Sequence, residues 1–432
     1  MASITKSRGC RLLCWRSPRP AWLQLALAAT LWALALTATA AEPVPGRTVE
    51  SVRAWLIEQS PELRVLGLEA EAAQARIHPA GALPDPSASV IFRGPDAPWR
   101  RADGGREIDY ALRQRFPLWG KRELARTAAR HEALAANLDR GAAARDLMAE
   151  AEAAYVRYWH ADEAVAVLDR RIVLLRQIEE MAGVRYALGR AAQQDAIRAQ
   201  VEQTTLLRER IERIAAKNEA IAQLNALLGR EANAPLAPPA EIPALHVLSS
   251  ELSAALEDVD MHPAVQAQRE IAEAAKANSM LQRRNRFPDI TLGVGAMQVG
   301  SGVESTELML EVEIPFQQRA RREREREARL LHDAALVRAN QAQRVLQGRG
   351  ASAWAQWQSA RERRQLIENR LMPQADATYQ SALASYQVGE VDFSTLLEAL
   401  NEWQGADLAR VDALRDELTG AAAVRAVEGE MP

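Results

Sequence analysis

Glu307–Ile314, with the sequence E-L-M-L-E-V-E-I, alternates acidic or methionine side chains with aliphatic ones. A period of two is typical of a β-strand, because successive side chains of a strand point to opposite faces of the sheet. Aliphatic residues on one face and carboxylates on the other predict a sheet with water on one side. The aliphatic face holds Leu308, Leu310, Val312 and Ile314; the other holds Glu307, Met309, Glu311 and Glu313.

Three further segments show the same period: 107–116, 289–297 and, most weakly, Ser87–Arg93. Two interpretations fit such strands. The first is an amphipathic antiparallel sheet packed on a soluble core. The second is a transmembrane barrel, whose strands need about 9–11 residues and turn their apolar face to lipid. Four strands cannot close a barrel, since about eight are needed, so the second interpretation requires several copies of the chain.

The composition excludes several classes of protein. Of the 432 residues, 48% are hydrophobic and 26% are charged, which is enough apolar material for a core and excludes intrinsic disorder. Only one uncharged stretch is long enough to span lipid, so a polytopic helical membrane protein is excluded. The formal net charge of -3 gives no indication of a nucleic-acid partner.

The first 40 residues are predicted to be a signal peptide. Five basic residues precede an uncharged run over 21–41, and Ala38-Thr39-Ala40 supplies the small residues of a cleavage site. The alternative is an uncleaved anchor helix. Cleavage would remove five positive charges and change the net charge from -3 to -8. Cys10 and Cys14 both precede the run, so no lipid-anchoring cysteine and no disulfide is expected after it.

The rest of the chain repeats itself at an offset of about 200 residues. Tyr186-x-x-Gly189 matches Tyr386-x-x-Gly389. The pattern Tyr155-x-x-Tyr158-x-x-Ala161 likewise matches Trp354-x-x-Trp357-x-x-Ala360. We therefore predict a first repeat over 41–234, a linker over 235–259 and a second repeat over 260–427. Each repeat contains a strand pair (about 87–116 and 289–314) followed by a helical hairpin (about 118–229 and 317–426).

The long helical segments need partner helices along their whole length. A helix of about 64 residues would extend roughly 96 Å, and its apolar stripe is narrow, as in a coiled coil. Val165, Leu168, Ile172, Leu175 and Ile178 form such a stripe. Gly141 and the pair Gly348 and Gly350 are predicted weak points, and Pro373 is predicted to mark a kink.

These features together resemble the outer membrane efflux protein family, the TolC-type channels. The motifs that carry the resemblance are 116–122 (F-P-L-W-G-K-R), its partner 314–316 (I-P-F), and 386–399 (Y-Q-V-G-E-V-D-F-S-T-L-L-E-A). A fourth is Val184–Gly189 followed by Asp195. The sequence is most similar to the heavy-metal cation efflux branch, although drug-efflux and type I secretion channels share the architecture.

The resemblance implies a mainly α fold with a small β part. Three chains would form a homotrimer in which four strands from each build a twelve-stranded outer-membrane β-barrel, continued by a long periplasmic α-helical barrel. It further implies outer-membrane lipid, a periplasmic adaptor (membrane fusion) protein and an inner-membrane resistance-nodulation-division pump as partners. The competing class is a soluble periplasmic coiled-coil scaffold or adaptor.

The resemblance also assigns candidate functional residues. Tyr186, Gly189, Tyr386 and Gly389 would form the periplasmic tip that meets the adaptor. Glu398, with Asp195 and Asp392 nearby, would provide gate acids. The candidate acids of the barrel lumen are Glu107, Asp109, Glu311 and Glu313.

No enzyme, cofactor or metal site is predicted. The six histidines (His78, His131, His160, His246, His262 and His332) lack metal-ligand spacing, and no phosphate-binding, dinucleotide or nucleophile motif occurs. Passive conduction is the mechanism that remains. The substrate is not predicted by the sequence, because in such systems the inner-membrane pump selects it.

Overall fold

A long helical body with a small sheet at one end makes up the part of the chain that can be described. The computed structural model describes residues 44–93, 107–244, 247 and 251–428. The predicted signal peptide over 1–40, with Cys10 and Cys14, and the linker residue His246 lie outside the described residues. The elements below belong to one compact unit that begins at Pro45.

The first repeat contains three short helices, two strands and two long helices. In chain order they are α1 (Val49–Gln59), α2 (Pro61–Ala75), α3 (Ile77–Ala80), β1 (Ser87–Arg93), β2 (Glu107–Phe116), α4 (Lys121–Ala187) and α5 (Gln193–Leu227).

The second repeat follows the same order with small differences. Helix α6 (Leu252–Ala255) lies in the predicted linker, and a 3₁₀ turn (Glu257–Met261) spans its boundary with the predicted second repeat. The following elements are α7 (Pro263–Arg284), β3 (Asp289–Val299), β4 (Gly302–Glu313), α8 (Gln318–Leu366), a π-turn (Ile367–Leu371), α9 (Met372–Val388) and α10 (Phe393–Glu428).

Helices at equivalent positions of the two predicted repeats are capped in a similar way. Helix α2 begins with Pro61 after the N-cap residue Ser60. The Ser60 Oγ accepts a hydrogen bond from the Leu63 amide at 3.3 Å. Helix α7 begins with Pro263 after His262, whose Nδ1 accepts the Ala264 amide at 3.2 Å. Proline at the first helical position after a side-chain cap is a strong start signal. Both repeats therefore start this helix in the same way.

The two repeats share a single antiparallel sheet in the order β1-β2-β3-β4. The pair β2–β3 joins the repeats in a register that sets Leu112 opposite Val294 and Phe116 opposite Ile290. The predicted strands β1 and β2 are confirmed. Strand β4 begins at Gly302 rather than at 307, directly after a tight turn at Gly300 (φ 62°). A bulge at Met297/Gln298 shifts the pairing of β3 with the first residues of β4, so the alternating pattern is clear only from 307 onward.

The predicted helical seam is confirmed, and a π-turn interrupts the helix next to Pro373, where a kink is predicted. Helices α4 and α8 run through Gly141, Gly348 and Gly350. At Gly350 a Cβ would lie 2.6 Å from Leu256 Cδ2, so this glycine permits close packing. The π-turn ends just before Pro373, with the Met372 amide donating to the Ile367 carbonyl five residues earlier. Proline has no amide hydrogen to continue the regular pattern, which explains the break.

Helix α4 organises the body. It packs against α5, α7 and α10, while α8 packs against α7 and α10, and α9 packs against α10. One core surrounds Tyr155, Leu224 and Val411, and a second core nearer the hairpin tips surrounds Ile172, Tyr379 and Phe393. Among the described helices, none combines the length and apolarity needed to cross a membrane.

Candidate functional site

The sheet has one continuous apolar face that is left uncovered. The register aligns Val90, Tyr110 and Ala296 on neighbouring strands, and likewise Leu112, Val294 and Leu308. The large side chains of this face are 44–84% exposed. Soluble monomers rarely expose apolar patches of this extent. The large exposed side chains of the apolar face are Val90, Phe92, Tyr110, Leu112, Leu292, Val294, Leu308, Leu310 and Val312.

The opposite face carries the four predicted lumen acids. Asp109 pairs with Arg93 at 3.0 Å, and Glu313 pairs with Arg115 at 2.8 Å. Glu107 and Glu311 have no hydrogen-bonding or ionic partner among the described residues. Only these two of the four therefore present an uncompensated charge.

A buried ion pair fixes the sheet to the long helices. The carboxylate of Asp289, at the start of β3, accepts hydrogen bonds from Lys121 Nζ at 2.7 Å, the Leu118 amide at 3.1 Å and Arg115 at 3.0 Å. Lys121 is 7% exposed and also donates to the Phe287 carbonyl. A buried charge is tolerated only when it is paired and hydrogen-bonded. This cluster orients the first residues of α4 relative to the sheet.

This junction was not predicted, although the sequence contained a signal for it. Lys121 belongs to the G-K-R of 120–122, which indicated only the resemblance to the family and no contact. Trp119 before it adopts φ 62° and Gly120 adopts φ 72°. A left-handed tryptophan is a rare conformation. Trp119 Nε1 donates to the Pro288 carbonyl at 2.8 Å, which stabilises the turn.

Both hairpin tips close with the same backbone motif. At the end of α4 the Arg190 amide donates to the Arg185 carbonyl at 2.8 Å, and the Gly189 amide donates to the Tyr186 carbonyl at 2.9 Å. At the end of α9, 200 residues later, Glu390 and Gly389 make the same two bonds. This is the Schellman motif, in which glycine supplies the left-handed position. Gly189 has φ 70° and Gly389 has φ 89°.

The two tip tyrosines differ in environment. Tyr186 is 47% exposed, whereas Tyr386 is 2% exposed and packs edge-on against Phe393. The Arg185 guanidinium lies 4.5 Å over the Tyr386 ring and donates to the Tyr386 carbonyl. Arg185, which sequence reasoning missed, thus links the tips of both repeats. The Tyr386 hydroxyl is buried and has no hydrogen-bond partner among the described residues, and burial raises its pKa.

The three candidate gate acids have different surroundings. Asp392 is the N-cap of α10: it accepts the Thr395 hydroxyl at 2.6 Å and amide at 2.9 Å, and the Ser394 hydroxyl at 2.8 Å. Hydrogen bonds from Thr395, then from Ser394, lower the pKa of Asp392 to about 2. Asp195 lies in the first turn of α5, near enough for its charge to raise the pKa of Tyr386. Glu398 is exposed and has no partner among the described residues.

A groove of about 650 Å³ lies beside the tips, between α4 and α9. Its lining is mainly apolar, with Leu174, Ile178 and Met181 on one side and Tyr379 and Leu383 on the other. Within the described ranges, no three acidic, histidine or cysteine residues are grouped so as to hold a metal ion.

The comparisons with known proteins agree with this geometry. Residues 257–430 match the family model described as outer membrane efflux protein. The chain also resembles the crystal structure of CusC, with a TM-score of 0.77, 18% identity and coverage of 90% of this chain and 95% of CusC. No curated protein matches the sequence.

Two further solved structures share the architecture. The open state of the MtrE outer membrane channel of Neisseria gonorrhoeae gives a TM-score of 0.76 at 19% identity, covering 89% of each chain. The outer membrane protein VceC of Vibrio cholerae gives 0.73 at 18% identity, covering 88% of this chain and 96% of VceC.

This chain has the TolC-like fold. The heavy-metal branch is not distinguished, because the similar structures include CusC together with several other outer-membrane channels.

Proposed function

We propose that the whole chain is an outer membrane efflux protein and that three copies form the outer-membrane channel of a tripartite efflux system. The observation that carries the proposal is the uncovered apolar face of the sheet. In a closed barrel this face would contact lipid, and the face with Glu107 and Glu311 would line an aqueous lumen.

The edges of the subunit support a ring of copies. Among the described residues, strands β1 and β4 each have one edge without a paired strand, and unpaired strand edges are normally covered or closed. Helix α5 packs chiefly on α4, and Ile197, Val201 and Ile211 on it are more than half exposed. Helix α8 exposes Leu330, Leu331 and Val337. Two different edges that each need a partner favour a head-to-tail ring.

The tips and the adjoining groove provide the docking surface for the periplasmic adaptor. The exposed Tyr186 and the groove side chains are available for contact. Tyr386 supports the second tip from within, and the turns at Gly189 and Gly389 set the shape of the end that the adaptor meets. The inner-membrane pump, which we propose to be of the resistance-nodulation-division type, would deliver substrate through that adaptor.

Cations are the proposed substrate class, with heavy-metal ions as the first candidates. The support is electrostatic: Glu311 and Glu107 in the lumen and Glu398 near the tip carry uncompensated charge. Three copies of each around an axis would attract cations. Drug efflux or type I secretion is the alternative within the same architecture, and a soluble periplasmic scaffold is the alternative of another class.

Fractionation tests the channel proposal. The protein extracted from outer membranes should migrate as a trimer that heating converts to a monomer. A soluble periplasmic monomer would refute the proposal and favour the scaffold. Growth of a deletion strain on zinc, cobalt, cadmium, copper and dyes would then identify the substrate class.

Planar bilayers test the proposed charge selectivity. Glu311→Gln and Glu398→Gln should each reduce cation selectivity, measured as the reversal potential in a salt gradient, and reduce block by multivalent cations. Asp109→Asn is the matched control, because its charge is already compensated by Arg93. Unchanged selectivity and block in both Gln variants would remove these acids from the conduction mechanism.

A further inference from the structure

An arginine stripe begins where the apolar sheet ends. Arg319, Arg322, Arg326 and Arg329 are exposed and spaced by three, four and three residues, so they share one face of α8. The stripe lies away from the face that packs on α7, which contains Arg321, Glu325 and Ala328. Ile314 and Phe316, 60% and 85% exposed, directly precede the helix.

The charges of the stripe are poorly compensated within the chain. Arg326 lies 3.9 Å from Glu323, whereas Arg319, Arg322 and Arg329 have no partner among the described residues. At the same level, Arg283 and Arg284 end α7, also exposed and unpaired within the described ranges. The first turn of α8 contains no acidic residue. Positive charge at a helix N-terminus opposes the helix dipole, so an anion bound at this end of α8 would be stabilising.

The position of the stripe indicates which anion this is. The head groups of one leaflet occupy roughly 5–8 Å beyond the hydrocarbon, and the first two turns of α8 extend about 10 Å from the end of the sheet. Aromatic side chains mark the same level: Trp119 and Phe287 have ring centroids 5.2 Å apart and are each almost half exposed. Aromatic residues beside basic ones are typical of a membrane–water interface.

We propose that Arg319 and Arg322, with Arg283 and Arg284, bind the phosphate groups of anionic phospholipids in the leaflet that faces the helical body. This inference rests on the proposed function, since it requires the apolar sheet to lie in a bilayer. It adds a preference for negatively charged head groups at one rim of the sheet. The bound lipid would fix the depth at which the sheet sits in the membrane.

Spin-labelled lipids provide the test. The protein is reconstituted into phosphatidylcholine bilayers, and the association of labelled phosphatidylglycerol with its surface is compared with that of labelled phosphatidylcholine. We expect a preference for phosphatidylglycerol of about fivefold or more, which weakens as salt is added. Arg319→Gln/Arg322→Gln should reduce the preference nearly to one.

The matched control lies on the same helix. Arg338 and Arg344 are also exposed and unpaired among the described residues, but they lie about 24 Å or more further along α8. Arg338→Gln/Arg344→Gln should therefore keep the wild-type preference.

The possible results separate the two proposals. Failure of the wild-type protein to enter phosphatidylcholine bilayers would refute the proposed function. Entry without a preference for phosphatidylglycerol, or an unchanged preference in Arg319→Gln/Arg322→Gln, would overturn only the lipid proposal. Loss of the trimer in lipid-free detergent by this variant would also overturn it, by assigning the stripe to the contact between copies.

Discussion

Gly420 shows how much depends on a missing side chain at the scale of single residues. A Cβ there would lie 2.9 Å from Trp357 Cα and 3.1 Å from Trp357 Cβ, so α8 and α10 pack directly against each other at this point. Backbone atoms cannot move aside as a flexible side chain can. At Gly405, on the same helix, a Cβ would have no neighbouring atom of the described chain within 4 Å.

We expect Gly420→Ala and Gly405→Ala to change stability in opposite directions. Gly420→Ala should lower the free energy of unfolding by about 1–3 kcal/mol through overpacking. Gly405→Ala should raise it by about 0.5–1 kcal/mol through helix propensity. Denaturant unfolding of the detergent-solubilised protein measures both. Equal effects of the two substitutions would contradict the proposed close approach.

The cap at Asp392 predicts a pH dependence. Its folded-state pKa of about 2 lies below the unfolded value of about 3.9. The stabilisation is therefore present above pH 4 and is lost as the pH falls through 2. The protection of the amides at the start of α10 against hydrogen exchange, taken relative to the intrinsic rate at each pH, should fall over this range in the wild type. Asp392→Ala should already exchange rapidly at pH 5, while Asp376→Ala, an exposed acid on α9, should behave as the wild type.

A buried ionic cluster joins three helices at the scale of elements. Glu152 on α4, 4% exposed, lies 2.6 Å from Arg53 on α1 and 3.8 Å from Arg425 on α10. Helices α1 and α10 are the first and the last helices of the described chain. The cluster therefore holds the first repeat against the end of the second.

Glu152→Gln should be strongly destabilising, because it leaves two arginines close together without their carboxylate. We expect a loss of about 2–4 kcal/mol in the free energy of unfolding. Glu123 on the same helix is the control: its side chain is 58% exposed and pairs with Arg126 and Arg130. Glu123→Gln should cost less than about 1 kcal/mol. Comparable losses would show that Glu152 has no special role.

The elements themselves could be predicted from local patterns. Alternation gave β1 and β2, heptad spacing gave the seam through Leu168 and Ile172, and Pro373 gave the break between α8 and α9. The glycines in the helices could not be interpreted, because the role of Gly350 depends on Leu256 and Val427, which are distant in sequence. The repeat boundaries at 234/235 and 259/260 stay predictions.

The candidate site was less predictable than the fold, since its chemistry depends on contacts between repeats. The tip glycines are local features, and their turns follow from the Y-x-x-G pattern. The contact of Arg185 with Tyr386 and the pairing of Arg115 with Glu313 depend on neighbours in three dimensions. The capping of α10 by Asp392 depends on the Thr395 hydroxyl three residues away. A charge pattern alone does not distinguish a free carboxylate from a paired one.

The two faces of β4 make the membrane proposal testable for the whole molecule. Leu310 lies on the uncovered apolar face and is 66% exposed, whereas its neighbour Glu311 lies on the polar face. In a barrel Leu310 would face lipid and Glu311 would face water.

An arginine on the lipid face costs about 2–4 kcal/mol at the bilayer midplane and less towards the interface, so Leu310→Arg should be destabilising. The yield of heat-modifiable trimer in the outer-membrane fraction should fall accordingly. Glu311→Arg should leave that yield unchanged, although it should alter ion selectivity. Equal yields for the two arginine variants would mean that the apolar face does not meet lipid.

The pairing of β2 with β3 also sets the order of events during folding. Phe116 and Ile290 face each other in the sheet but are 174 positions apart in the chain. The two strand hairpins can form quickly and locally, whereas closing so long a loop is slow. In a chain that emerges from its N-terminus, the edge of β2 that pairs with β3 stays unpaired until the first part of the second repeat, up to Val299, has been delivered. During that interval the unpaired edge and the apolar face of β2 are exposed, and we expect a holding chaperone to bind there.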